Sequence, residues 1–261
     1  MRIEELQNLR QGKLIGREIH YFPATDSTNR RAHDYAERGA KEGTVVLADC
    51  QYQGRGRLGR SWQSPAGLNI YVSIILRPPI PPAIAPQITL LAGVAAANAL
   101  ARASGLDTRI KWPNDIFLYG KKVAGILSEM EAVDARIRFV ILGVGVNVNW
   151  PRKDIPPDLR EMATSLRAEG KAEIPRTRVA AEIFEELERE YTLFLQEGFS
   201  PRLRGEWNRL SWINGKQVTV TLPDKEISGE VLGLDTDGAL LLLDRQGETH
   251  RLIVGDISLR L

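Results

Sequence analysis

Gln51-Tyr-Gln-Gly54-Arg55-Gly56-Arg57-Leu58-Gly59-Arg60-Ser61-Trp62 is the stretch whose context decides the fold. Gly54, Gly56 and Gly59 match the G-x-G-x-x-G spacing of dinucleotide-binding turns. Gly54 to Ser61 nearly matches the phosphate loop G-x-x-x-x-G-K-[ST], with Arg60 in place of the lysine. Both motifs need a helix to begin at once, because its N-terminus holds the phosphate. Here Pro65 and Gly67 follow, and then an apolar, β-rich run, Asn69–Leu76. No helix can start there, so the dinucleotide-binding and phosphate-loop folds are both disfavoured.

The segment lies between two strand candidates, Thr44–Ala48 and Asn69–Leu76. That position also argues against an arginine–glycine RNA-binding tail, which belongs to disordered chain. A plain exposed basic loop is the remaining bland reading. Three glycines lose much backbone freedom on ordering, and the arginines repel one another, so closure calls for an anion. A nucleotide phosphate suits the fork of guanidinium donors, and Trp62 offers a flat face to a base.

Working outward, Thr25-Asp26-Ser27-Thr28-Asn29 is a helix-start signal, and Gly39 is the stop. The prolines between Arg77 and Pro86 number five and predict an irregular loop, followed by a buried helix over Gln87–Ser104 that ends at Gly105. Strands are predicted at Thr108–Trp112, Val123–Glu129 and Phe139–Val148, and Trp150–Pro157 is a loop in which Trp150 reads as core. Val179, Ile183, Leu187, Tyr191 and Phe194 mark an amphipathic helix over Thr177–Gln196. After Trp212 the texture changes to short β-rich runs, Val218–Leu222, Glu230–Leu234, Ala239–Leu243 and Thr249–Val254. Turn clusters at Pro223–Asp224, Asp235–Gly238 and Arg245–Gly247 separate them, as in a small antiparallel barrel.

The chain has 261 residues, 26% of them charged, and a net charge of +2. The whole molecule is therefore no polyanion binder, and any important positive charge is local. The single cysteine, Cys50, allows no intrachain disulfide and no cysteine zinc cluster, and reads as a small core residue. The N-terminus has no apolar signal region, and no stretch reads as a membrane span of about 18 apolar residues. These observations lead us to expect a cytoplasmic protein with no membrane partner.

Gly54-Arg-Gly-Arg57-x-Gly59-Arg60-x-Trp62 resembles the signature loop of the biotin–protein ligases, also called biotin–[acetyl-CoA-carboxylase] ligases. Further motifs occur in that family's order: Asp26-Ser-Thr-Asn29, Lys111-Trp-Pro-Asn-Asp115, Lys122-Val-Ala-Gly125-Ile-Leu, Gly143-Val-Gly-Val-Asn147-Val-Asn149 and Ala163-Thr-Ser-Leu166. The resemblance covers essentially residues 20–261. It implies an α+β fold, a mixed β-sheet flanked by helices of the class II synthetase/biotin–lipoate ligase type, with a small C-terminal SH3-like β-barrel. Residues 1–212 would form the catalytic domain and 213–261 the barrel. The implied reaction joins biotin and ATP, with Mg2+, into biotinyl-5′-AMP. It then passes biotin to a lysine of a biotin carboxyl carrier protein.

The resemblance also implies roles. Ser27, Thr28 and Asn29 approach the biotin ring, with Ser27 on the ureido group; helix capping alone is the structural alternative. Gln51 meets the same group or merely sits on a strand surface. Arg55, Gly56 and Arg57 line the adenylate with Gly54 and Arg60, and Arg57 lies on the phosphate. Lys122 pairs with the biotin carboxylate and phosphoryl oxygens, the alternative being a surface lysine; Gly125 lets ligand pass close by. Lys121 would point to the opposite face. Lys111 belongs to the adenylate site. Asp115 handles magnesium or the acceptor lysine, unless Asn114 and Asp115 simply make a turn. Asn147 bonds the adenine amine and Trp62 packs on the base, unless Asn147 only closes a strand.

Many members also carry an N-terminal winged helix-turn-helix. This sequence reaches Asp26 too soon for one, so no DNA binding is expected. A homodimer through sheet edges is compatible with the family. The rivals are a lipoate–protein ligase of the same superfamily and a non-catalytic nucleic-acid-binding protein.

Overall fold

Ile70–Leu76 forms strand β3, and all seven of its residues are buried. A run without polar alternation fits a strand covered on both faces. One face, Ile70, Val72, Ile74 and Leu76, enters the main core. The other carries Ile75 into a smaller cluster with Ala32, Ala36, Val46, Phe139 and Ile141. In this computed structural model the described residues are 1–222, 224–253 and 255–259.

The first part of the chain runs α1 (Ile3–Leu9), β1 (Ile19–Phe22), α2 (Thr28–Glu37), β2 (Val45–Ala48) and β3. It continues through α3 (Pro86–Ser104), β4 (Arg109–Lys111), β5 (Asp115–Leu118), β6 (Lys121–Val133) and β7 (Arg136–Val146). Helices α4 (Leu166–Gly170), α5 (Arg176–Glu197) and α6 (Pro201–Leu210) follow. The seven strands make one mixed sheet in the order β1-β2-β3-β7-β6-β5-β4. Only the β1–β2 pair is parallel; the others are antiparallel.

Helix α3 is alanine-rich and buries residues on nearly every side. By length and composition Pro82–Ser104 could cross a membrane, yet 67% of its most apolar stretch is buried inside the protein. It ends where Gly105 takes φ 72°. Helix α5 buries Val179, Ile183, Phe184, Leu187, Tyr191 and Phe194 along one stripe. Helix α2 covers the opposite face of the sheet.

A second, five-stranded antiparallel sheet is built from β8 (Gln217–Thr221), β9 (Glu226–Leu234), β10 (Leu240–Leu243), β11 (Thr249–Leu252) and β12 (Asp256–Leu259), in the order β11-β10-β9-β8-β12. This is consistent with the SH3-like unit expected from the sequence. Pro223 and Val254, expected in a turn and a strand, lie outside the described residues.

Several elements go beyond the sequence reading: α1, β1, β5, α4, α6 and β12. Asn114 does lie in a turn, but Asp115 opens β5 and pairs with Gly125 across the ladder. Cys50, expected as core, is only partly buried.

Candidate functional site

On its α2 face the centre of the sheet is stripped of side chains at Gly143, Gly145 and Gly125, between Tyr71 and Leu127. Ser73 lies opposite Gly143, and Gly145 lies opposite both Tyr71 and Gly125. Three adjacent strands thus leave a shallow floor, and side chains from α2, the 51–64 loop and β6 wall it in. A Cβ on Gly145 would come 2.7 Å from Trp62 Cε2, and one on Gly143 would come 2.1 Å from Asn29 Oδ1. These glycines are required by close approach: the indole of Trp62 and the amide of Asn29 rest directly on the backbone.

The start of α2 supplies one wall. Ser27 is at the N-cap position and 2% exposed, yet its side chain makes no capping bond among the described residues. Capping alone therefore does not account for it. Asp26 takes the polar work there, accepting from the Ser27 N–H (2.8 Å), the Thr25 hydroxyl (2.9 Å) and Arg30 (3.0 Å). Burial pushes its carboxyl up, but these donors outweigh it and hold the pKa below the usual value. Gln51 Oε1 accepts from the Thr28 N–H at 2.8 Å and its hydroxyl at 3.1 Å, while Gln51 Nε2 donates to Ser64 Oγ at 3.0 Å.

The 54–62 segment folds as a short hairpin. Gly56 N–H donates to Arg60 O (2.7 Å) and Trp62 N–H to Gly54 O (2.9 Å), around a 3-10 turn over Arg57–Gly59. Leu58 sits at the tip with φ 55° and is 74% exposed. Each arginine has its own partner: Arg55 pairs with Glu129 at 2.7 Å, Arg57 donates to Asn114 Oδ1 at 3.1 Å, and Arg60 pairs with Asp256 of β12. The anions that closure calls for are supplied at Arg55 and Arg60 by the carboxylates of Glu129 and Asp256, while an amide meets Arg57. Burial lowers the pKa of Arg57, opposed by the charges of Asp256 and Asp115.

Two cavities meet at Trp62 and Lys122. The first spans about 470 Å³, partly open to solvent, and is lined by Ser27, Thr28, Asn29, Gln51, Arg55, Gly56, Arg57, Trp62, Lys122 and Gly125. The second spans about 1240 Å³ and is lined by Arg60, Trp62, Lys111, Asp115, Lys122 and Asn147, together with the aromatic rings of Phe117, Trp150 and Trp212. Gly54 lines neither; it lies under the loop, where a Cβ would come 2.3 Å from Trp62 O.

At the junction Lys122 Nζ is 2.7 Å from Asp115 Oδ1 and 5.3 Å from the Trp62 ring centre. The ion pair is off-axis for a hydrogen bond, so Asp115 Oδ1 has no hydrogen-bond donor among the described residues, and neither does Trp62 Nε1 have an acceptor. Lys121 points away, to Arg160 O and Glu161, as strand alternation requires. Lys111 stands opposite Asp115 across β4 and β5. Burial lowers its pKa against the pull of Asp115 and Asp256.

Asn147 is 3% exposed. Its Nδ2 donates to Thr164 O at 3.0 Å, and its Oδ1 receives only a long 3.4 Å contact from Asn69. The 163–166 motif thereby acquires a structural role: Thr164 N–H bonds Lys122 O, and Leu166 N–H bonds Asn147 O. Trp150 is buried as expected, and it also edges the second cavity.

The sequence reading missed Asn114, Ser73 and Glu129. Asn114 was legible inside Lys111–Asp115: its Nδ2 donates to Ile126 O at 2.8 Å, which aims Oδ1 at Arg57. Glu129 left no such signal, since Ser128 and Glu131 beside it in β6 are polar as well.

Residues 21–147 match the model of the Biotin/lipoate A/B protein ligase family, and residues 214–260 match the Biotin protein ligase C terminal domain. The chain is 39% identical over 247 residues to the bifunctional ligase/repressor BirA of Bacillus subtilis, covering 95% of this chain and 75% of that protein. It is 33% identical over 247 residues to the biotin--[acetyl-CoA-carboxylase] ligase of Mycobacterium tuberculosis, covering 92% and 88%. The crystal structure of the biotin protein ligase from Aquifex aeolicus in complex with biotin and ATP superposes with a TM-score of 0.80 at 29% identity, covering 94% of this chain and 99% of that one. With such identity over nearly its whole length, this chain belongs to the biotin/lipoate A/B protein ligase family.

Proposed function

We propose that this chain is a biotin–[acetyl-CoA-carboxylase] ligase that activates biotin with ATP and transfers it to a lysine of a biotin carboxyl carrier domain. The observation that carries the reading is the junction of a small polar cavity with a larger aromatic-lined one at Lys122 and Trp62. Residues 1–212 act as the catalytic unit and 213–261 as the C-terminal unit. A cytoplasmic location, where ATP is supplied, is the one we adopt for the reaction.

In the small cavity Ser27, Thr28 and Gln51 offer hydroxyls and an amide to a cyclic urea, with Asn29 beneath them. A dithiolane has no groups to satisfy them, and buried polar groups left unpaired discriminate strongly. This favours biotin over lipoate. In the large cavity Trp62, Phe117 and Trp212 provide flat faces for adenine. The under-used Oδ1 of Asn147 accepts from the adenine amine.

Lys122, Arg57 and Lys111 gather positive charge where the biotin carboxylate meets the α-phosphate. The carboxylate oxygen attacks phosphorus, the bond to the bridging oxygen breaks, and pyrophosphate leaves. Lys122 follows the negative charge as it moves from the carboxylate to the phosphoryl oxygens. In the second step the acceptor amine attacks the acyl carbon and AMP departs. Asp115 orients the acceptor ammonium and takes up its proton, since an unperturbed lysine with a pKa near ~10.4 arrives charged.

The donor set fits magnesium only as an ion brought in on nucleotide phosphates. Asp115 offers one carboxylate, and Lys122 already stands 2.7 Å from it, whereas magnesium in nucleotide sites takes one or two carboxylates plus phosphate oxygens. Its chemistry there would be to neutralise the leaving pyrophosphate.

The test is to incubate the protein with ATP, a carrier domain and either biotin or lipoate, and to weigh the carrier by mass spectrometry. Biotin on one lysine is expected. Modification by lipoate alone would sink the reading.

A further inference from the structure

We infer that Glu129 is a positioning residue that ties closure of the 54–62 loop to the orientation of the Asn29 amide under the small cavity. The inference rests on the biotin-ligase reading for what that cavity holds.

Gly125, Leu127 and Glu129 alternate along β6 onto the face that carries the site. Glu129 lies just past the cavity, where its carboxylate meets two elements. Oε1 is 2.7 Å from Arg55 Nη2, and Oε2 accepts from Arg55 Nη1 at 3.3 Å, so the guanidinium is held by two contacts. Oε2 also accepts from Asn29 Nδ2 at 2.7 Å. At the other end of that amide, Asn29 Oδ1 accepts from the Ser73 hydroxyl at 2.6 Å. A carboxylate at one end and a hydroxyl donor at the other allow the amide only one orientation. Asn29 and Ser73 are 5% and 0% exposed; the Ser73 hydroxyl also lies 2.9 Å from Thr28 Oγ1, but its contact with Asn29 is the shorter.

One carboxylate therefore fastens the loop to the floor of the cavity. Arg55 serves as a strap: its charge is spent on Glu129, and its backbone is held by the bridge to Ser61. Opening the loop frees Arg55 and leaves Asn29 to hold Glu129 alone. Conversely, a ring seated against Ser27 and Thr28 supports the wall from which Glu129 holds the loop.

Glu129→Gln keeps an acceptor for Asn29 but cannot form the ion pair, whereas Glu129→Ala removes both. The experiment compares wild type, these two variants, Arg55→Ala and the double variant Arg55→Ala/Glu129→Gln. It reads the KM for biotin, kcat at saturating biotin, the release rate of biotinyl-adenylate, and the rate of tryptic cleavage after Arg57 and Arg60 with and without biotin. Glu129→Gln is expected to raise the KM for biotin and the adenylate release rate about tenfold, with kcat within about twofold of wild type. Tryptic cleavage in the loop should quicken even without biotin. Glu129→Ala should go further, and Arg55→Ala should add nothing to Glu129→Gln.

Unchanged KM, release and cleavage in Glu129→Gln, or full additivity with Arg55→Ala, would overturn the inference. If a Glu129 variant does not fold, Arg55→Ala alone must show the raised KM and faster cleavage; a wild-type profile there overturns it equally. Failure of the wild type to bind biotin defeats the functional reading itself, and this inference with it. Biotin binding by the wild type with indifferent variants defeats the inference alone.

Discussion

Gly143→Ala adds one methyl group at the point where the site is tightest. That methyl would lie 2.1 Å from Asn29 Oδ1 and 3.0 Å from its Cγ. The amide cannot yield cheaply, because Ser73 holds it at 2.6 Å and Glu129 at 2.7 Å. Displacing it loses one neutral hydrogen bond, worth about 1 kcal/mol, and one to a charged group, worth about 1.5–3 kcal/mol. The stiffer unfolded chain with alanine offsets about 0.5–1 kcal/mol of this. The net loss is roughly 2–3 kcal/mol, or a fall in Tm of roughly 5–10 °C for a chain of this size. Gly93→Ala is the matched control: in the middle of α3 its Cβ would meet Ile110 atoms at 3.7 and 3.8 Å, an ordinary contact. Helix propensity then stabilises by about 0.5–1 kcal/mol. The same chemical change is thus expected to act in opposite directions at two buried glycines. Scanning calorimetry reads both, and Asn29→Ala combined with Gly143→Ala should be clearly less destabilised than the sum of the two. A Tm for Gly143→Ala within about 2 °C of wild type, or simple additivity with Asn29→Ala, would refute the reasoning.

Lys122→Met removes the charge at the junction and should slow single-turnover adenylate formation roughly 10²- to 10³-fold while leaving the small cavity able to take biotin; a wild-type rate counts against its role. Arg57→Ala loses the contact with Asn114 and the charge that we propose for the phosphate. Retained adenylate should escape sooner and label bystander lysines, and an unchanged half-life on gel filtration would tell against this. Asp49 sits between the Tyr21 hydroxyl at 2.6 Å and Arg176 at 2.7 Å, and these partners hold its pKa down against burial. Its folded pKa is depressed, so its stabilisation is present above the unfolded value near ~3.9 and is lost as pH falls through the folded one. Tm should therefore fall steeply below about pH 4, and Asp49→Asn should start lower and flatten that slope; parallel acid curves for the two proteins would contradict it.

The elements that the sequence made plain are those whose burial pattern is self-contained. Strands β3 and β7 read as apolar runs, α5 as a stripe, and α3 as an all-round apolar helix. Strand β1 is half-buried at every position, because it lies at the sheet edge, and so shows no alternation. Strand β5 is four residues long and directly follows Pro113 and Asn114, whose turn chemistry masks it. Helix α6 is legible in principle: Ser200 caps it, Pro201 starts it, and Leu203, Trp207 and Leu210 share one buried side.

The site divides in the same way. Motif residues fall around the two cavities, whose walls they supply. Glu129 and Asp256 do not stand out in sequence, since their partners Arg55 and Arg60 are 74 and 196 residues away. Strand register and the seating of the second sheet bring them together. The glycine–arginine segment also reads differently once folded, as a hairpin already fastened at three points by the protein's own side chains.

The most direct test mixes the protein with ATP and biotin without any acceptor and counts pyrophosphate. A site that forms the adenylate and keeps it under the 54–62 loop should release one pyrophosphate per chain in a rapid burst and then nearly stop, with biotinyl-adenylate co-eluting with the protein. Continuous acceptor-independent release, or no biotin-dependent release at all, would contradict the account.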